Sequence, residues 1–204
     1  MLKNSKSKLL EGWDYAPNVV TYIRIILSIL FIILYLVAGP WGYTSTAIRW
    51  SVFVLFVIAA STDKLDGWMA RKYNQVTELG KLLDPIADKL LMLSALIIAS
   101  AFGELYWWIT ALFVIREIGI TILRFYVINK GGKVIAASSA GKFKTLSQSI
   151  GIAMLLVPIV PIFCANDIPL WVICYYSIAY GLIGIAIGFA TYSGILYVND
   201  ALKH

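Results

Sequence analysis

The sequence contains few of the residues that define most classes of soluble protein. Charged residues make up 14% of its 204 positions, whereas a soluble globular chain has about 25%. Its two cysteines, Cys164 and Cys174, are too few for a disulfide scaffold, and they have no Cys/His spacing typical of zinc sites. The chain has only 15 glycines and 6 prolines, which excludes collagen-like and low-complexity chains as well. The composition therefore fits no soluble, disordered or fibrous class.

Long apolar blocks take the place of the missing charge. Hydrophobic residues account for 60% of the chain, and the mean hydropathy is +0.82. A helix that crosses the hydrocarbon layer needs about 20 mostly apolar residues. Cutting the chain at charges, glycine and proline gives six blocks: 19–38, 47–61, 82–102, 105–128, 143–163 and 170–198. The second block is short, but its helical pattern continues to Lys72. The sequence thus predicts an all-α membrane protein with six transmembrane helices.

Lysine and arginine residues gather at one side of the predicted spans. They precede span one, flank the turns after spans two and four, and end the chain: Lys3, Lys6, Lys8, Lys64, Arg71, Lys72, Lys81, Lys89, Lys130, Lys133, Lys142, Lys144 and Lys203. The other side has only Arg49. By the positive-inside rule, both termini are predicted to be cytoplasmic. Positively charged loops that contact anionic lipid head groups then account for the net charge of +6, and no nucleic acid partner is expected.

The predicted organisation is a juxtamembrane segment, residues 1–18, followed by one six-helix domain, residues 19–204. Apolar and aromatic residues among the lysines of the first segment predict a short interfacial helix on the inner leaflet. The alternative is a disordered tail.

Three glycines recur in the last block, at Gly181, Gly184 and Gly188. The second and third form a Gly-x-x-x-Gly pair, which lets two helix backbones approach closely. We therefore expect this face to pack against another helix of the chain, with a dimer interface as the alternative.

Four of the eleven acidic residues lie around one predicted turn at the membrane edge: Asp63, Asp66, Asp84 and Asp88. Spacings of three and four place each pair on one helix face. If the two helices are antiparallel neighbours, the four carboxylates share a small, partly desolvated space and cannot all stay ionised without cations. An all-oxygen donor set suits Mg²⁺ or Mn²⁺, and two such ions balance four charges. The alternative is a solvated helix end with lysine partners.

Small residues lie between these carboxylates and leave room for a ligand. The chain resembles the CDP-alcohol phosphotransferase family, whose signature is matched at every position and spacing by the pattern Asp63-x2-Asp66-Gly67-x2-Ala70-Arg71-x8-Gly80-x3-Asp84-x3-Asp88. Eight fixed residues across 26 positions are very unlikely to match by chance. The family's members are membrane enzymes with six spans, in agreement with the count of apolar blocks.

The resemblance implies an active site at the cytoplasmic edge of the membrane. There a phosphatidyl or related group passes from a CDP-linked lipid to an alcohol hydroxyl, and CMP leaves. By the same resemblance, Asp63, Asp66 and Asp84 hold two divalent ions, Mg²⁺ or Mn²⁺. Asp88 is then the general base as well as a possible metal ligand. The signature residues expected to contact the CDP-linked lipid are Gly67, Ala70, Arg71 and Gly80.

Cations inside the fourth block bear on the choice of alcohol. Arg116 and Arg124 lie where a buried charge is costly and is a functional candidate by default. They are eight residues apart and share a helix face, and Lys142 and Lys144 open the next span on the same side. This much positive charge suits a phosphate monoester. The alternative for Arg116 is a helix-packing ion pair with Glu117.

Residues 17–24, 115–118 with 123–124, and 141–145 resemble the corresponding stretches of bacterial members whose acceptor is sn-glycerol 3-phosphate. The resemblance implies CDP-diacylglycerol as the donor, the bacterial inner membrane as the location and a homodimer as the assembly. The residues expected to bind the acceptor phosphate are Arg116, Arg124, Lys142 and Lys144. The residues expected on the CDP-lipid side are Asn18, Thr21 and Arg24, with a helix cap followed by an interfacial arginine as the alternative.

Two kinds of alternative function remain open. Within the family, the nearest are members that make phosphatidylinositol phosphate and members that make cardiolipin. A cation transporter is the alternative from another class, because ionisable residues in spans often mark ion pathways. A pathway needs such groups along its whole depth, whereas these carboxylates gather at one edge beside small residues.

Overall fold

The computed structural model describes residues 15–72, 78–129, 139–164 and 167–202. These residues form seven α-helices and a 3₁₀ turn at Pro40–Gly42, with no strand among them. The helices are α1 Ala16–Ala38, α2 Thr46–Lys72, α3 Glu78–Ala101, α4 Trp107–Asn129, α5 Ser139–Leu156, α6 Ile159–Phe163 and α7 Leu170–Leu202. Helix covers most of each of the six apolar blocks. The all-α prediction is confirmed for this part of the chain.

Within the described residues, three helical stretches are long and apolar enough to cross a membrane. They are Asn18–Ala38, Gly141–Phe163 and Leu170–Val198. Two shorter apolar helical stretches are Thr46–Thr62 and Lys89–Ala101. The chain is therefore an integral membrane protein.

The chain divides into two compact units, Met1–Ile98 and Ala99–His204. In the first unit α1 packs along α2, and the ring centroids of Phe31 and Phe56 lie 5.7 Å apart between them. In the second unit α7 packs against both α5 and α4. The packing of α7 against α4 and α5 positions the cationic residues of these helices, which are discussed below.

The start of α1 lies just ahead of the first apolar block. The helix begins at Ala16, and Pro17 occupies its first turn, where the missing N–H of proline costs no helical hydrogen bond. The predicted interfacial helix falls mainly on residues 1–14, which lie outside the described residues. The interfacial helix and the domain boundary at residue 18 therefore stay predictions.

The end of α1 is set by Gly39, whose φ of 72° lies in the left-handed region. A Cβ at this position would lie 2.3 Å from the Thr44 hydroxyl oxygen, so glycine also permits a close approach. Pro40 follows and cannot continue the helix. The Gly-Pro pair that bounds the first block in the sequence is thus a helix stop.

Arg49 is buried. In the sequence-based assignment of sides, it is the only cation on the side of the membrane opposite the other lysines and arginines. Its guanidinium carbon lies 4.4 Å from the centroid of the Tyr35 ring, a cation–π contact between α2 and α1. The Arg49 side chain therefore does not face the head groups, and it drops out of the count of surface cations. The asymmetry behind the predicted orientation is thereby larger, while the orientation itself stays a prediction.

The fifth apolar block is not one continuous helix. It is interrupted at Val157 and Pro158, so that α5 ends at Leu156 and the short α6 follows. Proline has no N–H to donate and disfavours the helical conformation of the preceding residue. The single helix expected over residues 143–163 is therefore wrong at this point.

The glycines of α7 do not pack as the sequence predicted. A Cβ added at Gly181, Gly184 or Gly188 would meet no atom of the described residues within 4 Å. The close approach of α7 is instead made to Gly151 on α5. There an added Cβ would lie 2.7 Å from Ile183 Cγ1 and 3.1 Å from a backbone oxygen of α7. The packing prediction for the three glycines is wrong, and a dimer interface stays a prediction.

We expect Gly151→Ala to destabilise the protein, because its methyl group would push α5 away from α7. Overpacking costs about 1 to 3 kcal/mol, and we expect the upper part of that range because the second contacted atom belongs to the backbone. This cost outweighs the gain of about 1 kcal/mol in helix propensity. Thermal unfolding in detergent measures the effect. The matched control Gly181→Ala faces open space and should leave the melting temperature unchanged or higher, and equal melting temperatures would contradict the close packing.

Candidate active site

Eight residues, here called the aspartate signature, lie on two consecutive helices. They are Asp63, Asp66, Gly67, Ala70 and Arg71 on α2, and Gly80, Asp84 and Asp88 on α3. Five residues, 73–77, separate the two helices. The extension of α2 to Lys72 confirms that the helical pattern continues beyond its apolar part. The signature's side chains lie outside the described residues, so their grouping around metal ions stays a prediction.

The length of α2 fits its carboxylates emerging at a membrane edge. Its 27 residues span about 40 Å, which exceeds the hydrocarbon thickness of about 30 Å. Its apolar part ends at Thr62, directly before Asp63. The signature residues on α2 therefore follow its apolar section along the helix axis rather than interrupting it.

A polar face runs along the first half of α1 and is buried. Asn18, Thr21 and Arg24 are 2%, 1% and 1% exposed, and the Ser28 hydroxyl donates a hydrogen bond to the Arg24 carbonyl at 2.8 Å. Spacings of three and four residues place these side chains on one side of the helix. The alternative of a helix cap with an interfacial arginine is wrong, because α1 starts before Asn18 and Arg24 is buried. Their role at the CDP-lipid stays a prediction.

Arg116 and Lys144 meet at one carboxylate in the second unit. Glu117 Oε1 accepts a hydrogen bond from Arg116 Nη1 at 2.9 Å and another from Lys144 Nζ. The side chain of Arg116 is 20% exposed, that of Lys144 is 11% exposed and that of Glu117 is 16% exposed. We call these three residues the Glu117 cluster. It joins α4 to α5 and has a formal charge of +1.

Phe113, one turn before the cluster on α4, covers part of Lys144. The Lys144 ammonium nitrogen lies 5.9 Å from the centroid of this buried ring. An aromatic face at that distance attracts a cation. The fold thus supports a positive charge here in two ways, by a carboxylate and by a ring.

The helix α7 holds the other side of Arg116. Arg116 Nε donates to the Ala190 carbonyl at 3.3 Å, and Nη2 donates to the Ser193 hydroxyl oxygen at 2.7 Å. Sequence reasoning missed Ser193. The signal was present, because Ser193 is a polar residue in a mostly apolar helix, but its partner lies 77 positions away.

The remaining predicted acceptor residues are not brought to this cluster by described contacts. Lys142 is exposed, and on a helix a residue two positions from Lys144 points to a different side. The Arg124 side chain lies outside the described residues. The role of both in acceptor binding stays a prediction.

An open groove between α4 and α7 runs beside Arg116. It has a volume of about 500 Å³, and the described residues that line it are Arg116, Gly119, Ile120, Ile122, Leu123, Gly194 and Val198, of which Arg116 is the charged one. Arg116 is therefore held by its neighbours and also borders an otherwise apolar groove.

The chain is similar to a known family and to several named proteins. A profile described as CDP-alcohol phosphatidyltransferase matches residues 14–190. A Mycobacterium tuberculosis protein named probable phosphatidylglycerophosphate synthase is 39% identical over 142 residues, which cover 70% of this chain and 66% of that protein. The matched family range includes the whole aspartate signature and the Glu117 cluster.

Two further relatives align over most of their own length. A Bacillus subtilis protein named CDP-diacylglycerol–glycerol-3-phosphate 3-phosphatidyltransferase is 38% identical over 175 residues, covering 81% of this chain and 90% of that protein. A Shigella flexneri protein of the same name is 34% identical over 173 residues, covering 78% of this chain and 91% of its own. These names describe the relatives. The Bacillus and Shigella names specify the same donor, CDP-diacylglycerol, and the same acceptor, glycerol 3-phosphate.

Proposed function

From the premise that the chain belongs to the CDP-alcohol phosphatidyltransferase family, we propose that it makes phosphatidylglycerophosphate. The phosphatidyl group of CDP-diacylglycerol passes to sn-glycerol 3-phosphate, and CMP is released. The observation that carries this proposal is the aspartate signature, which lies complete on two consecutive helices inside the matched range. The names of the Bacillus and Shigella relatives support the donor and the acceptor.

The donor set fits two divalent cations, Mg²⁺ or Mn²⁺. Asp63, Asp66, Asp84 and Asp88 offer carboxylate oxygens, the ligands that these hard ions prefer. When bound, such ions offset the charge of the pyrophosphate and of the departing CMP. Two ions also account for four carboxylates on helices only five residues apart in the chain.

The chain's own residues do the remaining chemistry. Asp88 takes the proton from the primary hydroxyl of glycerol 3-phosphate as that oxygen attacks the phosphorus that bears diacylglycerol. The bond between this phosphorus and the oxygen of CMP breaks, so CMP leaves with the electron pair. Arg71 holds the nucleotide phosphates. The small residues at positions 67, 70 and 80 leave room for the cytidine, and the α1 residues Asn18, Thr21 and Arg24 contact the CDP-lipid.

The acceptor's phosphate binds at the Glu117 cluster. Arg116 and Lys144 both lie within reach of the Glu117 carboxylate, and a guanidinium binds phosphate oxygens in bidentate geometry. Lys142 and Arg124 add positive charge on the same helices. The formal charge of the cluster supports an anionic acceptor over a neutral one.

The proposed arrangement in the membrane has six spans, both termini in the cytoplasm and the aspartate signature at the cytoplasmic edge of the bacterial inner membrane. The cation distribution supports this orientation. The three long apolar stretches and the two shorter ones account for five of the spans. The helix α4, which carries the Glu117 cluster, is the sixth, and a homodimer is the proposed assembly.

The acceptor is tested by CMP release from CDP-diacylglycerol with purified protein in detergent or nanodiscs. We expect release with sn-glycerol 3-phosphate and little with inositol phosphate or phosphatidylglycerol, with the lipid product identified by mass spectrometry. Chelation with EDTA should stop release, and Mg²⁺ or Mn²⁺ should restore it.

Other results would replace the proposal. Release with inositol phosphate alone identifies a phosphatidylinositol phosphate synthase, and release with phosphatidylglycerol alone identifies a cardiolipin synthase. Metal-dependent ion flux in liposomes without CMP release identifies a transporter. No release with any acceptor overturns the enzyme assignment.

A further inference from the structure

The hydroxyl of Ser193 is used differently from the other serine and threonine hydroxyls described in α7. Serine and threonine inside helices commonly bond to a carbonyl one turn earlier, as Ser177 does to Ile173 at 2.8 Å and Thr191 does to Ile187 at 3.1 Å. Ser193 is 8% exposed, and its oxygen accepts a hydrogen bond from Arg116 at 2.7 Å. A buried polar group on α7 is thus directed at a cation on another helix.

Arg116 keeps capacity for a ligand while its neighbours hold it. A guanidinium has five N–H donors. Contacts with Glu117, Ser193 and the Ala190 carbonyl use three of them. Contacts with the described residues leave two donors unused, the number needed for a bidentate phosphate contact, and Arg116 borders the open groove between α4 and α7.

The contacts from α7 determine the plane of the guanidinium. Hydrogen bonds at Nε and Nη2, to Ala190 and Ser193 on one helix, restrict rotation of the group about its long side chain. A guanidinium fixed in advance loses less conformational entropy when it binds phosphate than a freely rotating one. Loss of one of these bonds therefore weakens phosphate binding without removing the charge.

We propose that Ser193 is a positioning residue for the acceptor's phosphate, acting through Arg116. The inference rests on the proposed function, because it assumes that Arg116 contacts the phosphate of glycerol 3-phosphate. It adds α7 to the acceptor site and assigns Ser193 a role in selecting phosphorylated over unphosphorylated acceptors.

The test compares Ser193→Ala with wild type in steady-state CMP release. We expect the KM for glycerol 3-phosphate to rise about tenfold, the effect of losing one hydrogen bond to a charged group. The kcat and the KM for CDP-diacylglycerol should change less than twofold. Ser193→Thr keeps the hydroxyl and should restore the acceptor KM. Ser193→Val has nearly the shape of threonine without the hydroxyl and should behave like alanine, so this pair decides the question if Ser193→Ala folds poorly.

A matched control and a double variant separate positioning from packing. Thr191→Ala removes an exposed hydroxyl of the same helix that bonds only within α7 among the described residues, and it should leave every constant unchanged. In an Arg116→Ala background, Ser193→Ala should have no further effect on the acceptor KM. An unchanged acceptor KM in Ser193→Ala, or an equal effect in that background, overturns the inference. A wild type inactive with glycerol 3-phosphate overturns the proposed function instead.

Discussion

Replacing Asp88 with asparagine should lower kcat for CMP release by about a hundredfold to ten-thousandfold, the usual contribution of a general base. Asparagine has nearly the size of aspartate but cannot accept the acceptor's proton at neutral pH. Binding of CDP-diacylglycerol should stay within a few fold of wild type, because the other three aspartates of the signature are unchanged. Single-turnover CMP release measures the first effect, and ligand-induced thermal stabilisation measures the second.

The same helix offers a matched control for this experiment. Glu78 begins α3 and lies outside the aspartate signature, so Glu78→Gln should retain normal turnover. Near-normal turnover of Asp88→Asn would remove Asp88 from the role of base. Recovery of Asp88→Asn at high Mg²⁺ concentration would identify Asp88 as a metal ligand instead.

The positions of the helices could be predicted from the sequence because they depend on local pattern. Apolar blocks separated by charge, glycine and proline indicate where helices begin and end. The continuation of α2 to Lys72 followed from helical spacing alone. The exception is the break at Pro158. An apolar run looks continuous by hydropathy, although proline removes a donor and restricts its neighbour.

Contacts between helices could not be predicted in the same way. A Gly-x-x-x-Gly pair shows that a helix can be approached closely, but it does not identify the partner. The chain uses Gly151 for that approach and leaves Gly181 open. Ser193 shows the same limit, because nothing in its local sequence indicates a partner 77 positions earlier.

The candidate site was predictable to the extent that its residues are close in sequence. The aspartate signature occupies 26 positions with fixed spacing, so a resemblance could be read from it directly. The acceptor residues are spread over α4 and α5, and the sequence left both a phosphate site and an ion pair open for Arg116. The structure shows the ion pair with Glu117 and adds Lys144 to it. The two interpretations are compatible, because contacts with the described residues leave two N–H groups of Arg116 for a ligand.

Replacing Arg116 with alanine should raise the KM for glycerol 3-phosphate by about a hundredfold, within the range for losing a charged, hydrogen-bonded partner of a ligand. The formal charge of the Glu117 cluster falls from +1 to zero, and the bidentate fork is lost. The KM for CDP-diacylglycerol should stay unchanged, because the proposed donor contacts lie on other helices. Arg116→Lys keeps the charge without the fork and should give an intermediate KM. Initial rates over a range of acceptor concentrations measure these values.

Glu117→Gln distinguishes phosphate binding from helix packing. If the Arg116 and Glu117 pair only holds helices together, removing either partner should lower the melting temperature similarly and change the two KM values in parallel. If Arg116 binds phosphate, Arg116→Ala should raise the acceptor KM and Glu117→Gln should not. Glu117→Gln leaves both cations and raises the formal charge of the cluster to +2, so its acceptor KM should not rise and should fall where electrostatics dominate. A similar rise in acceptor KM for Arg116→Ala and Glu117→Gln would assign Arg116 to packing.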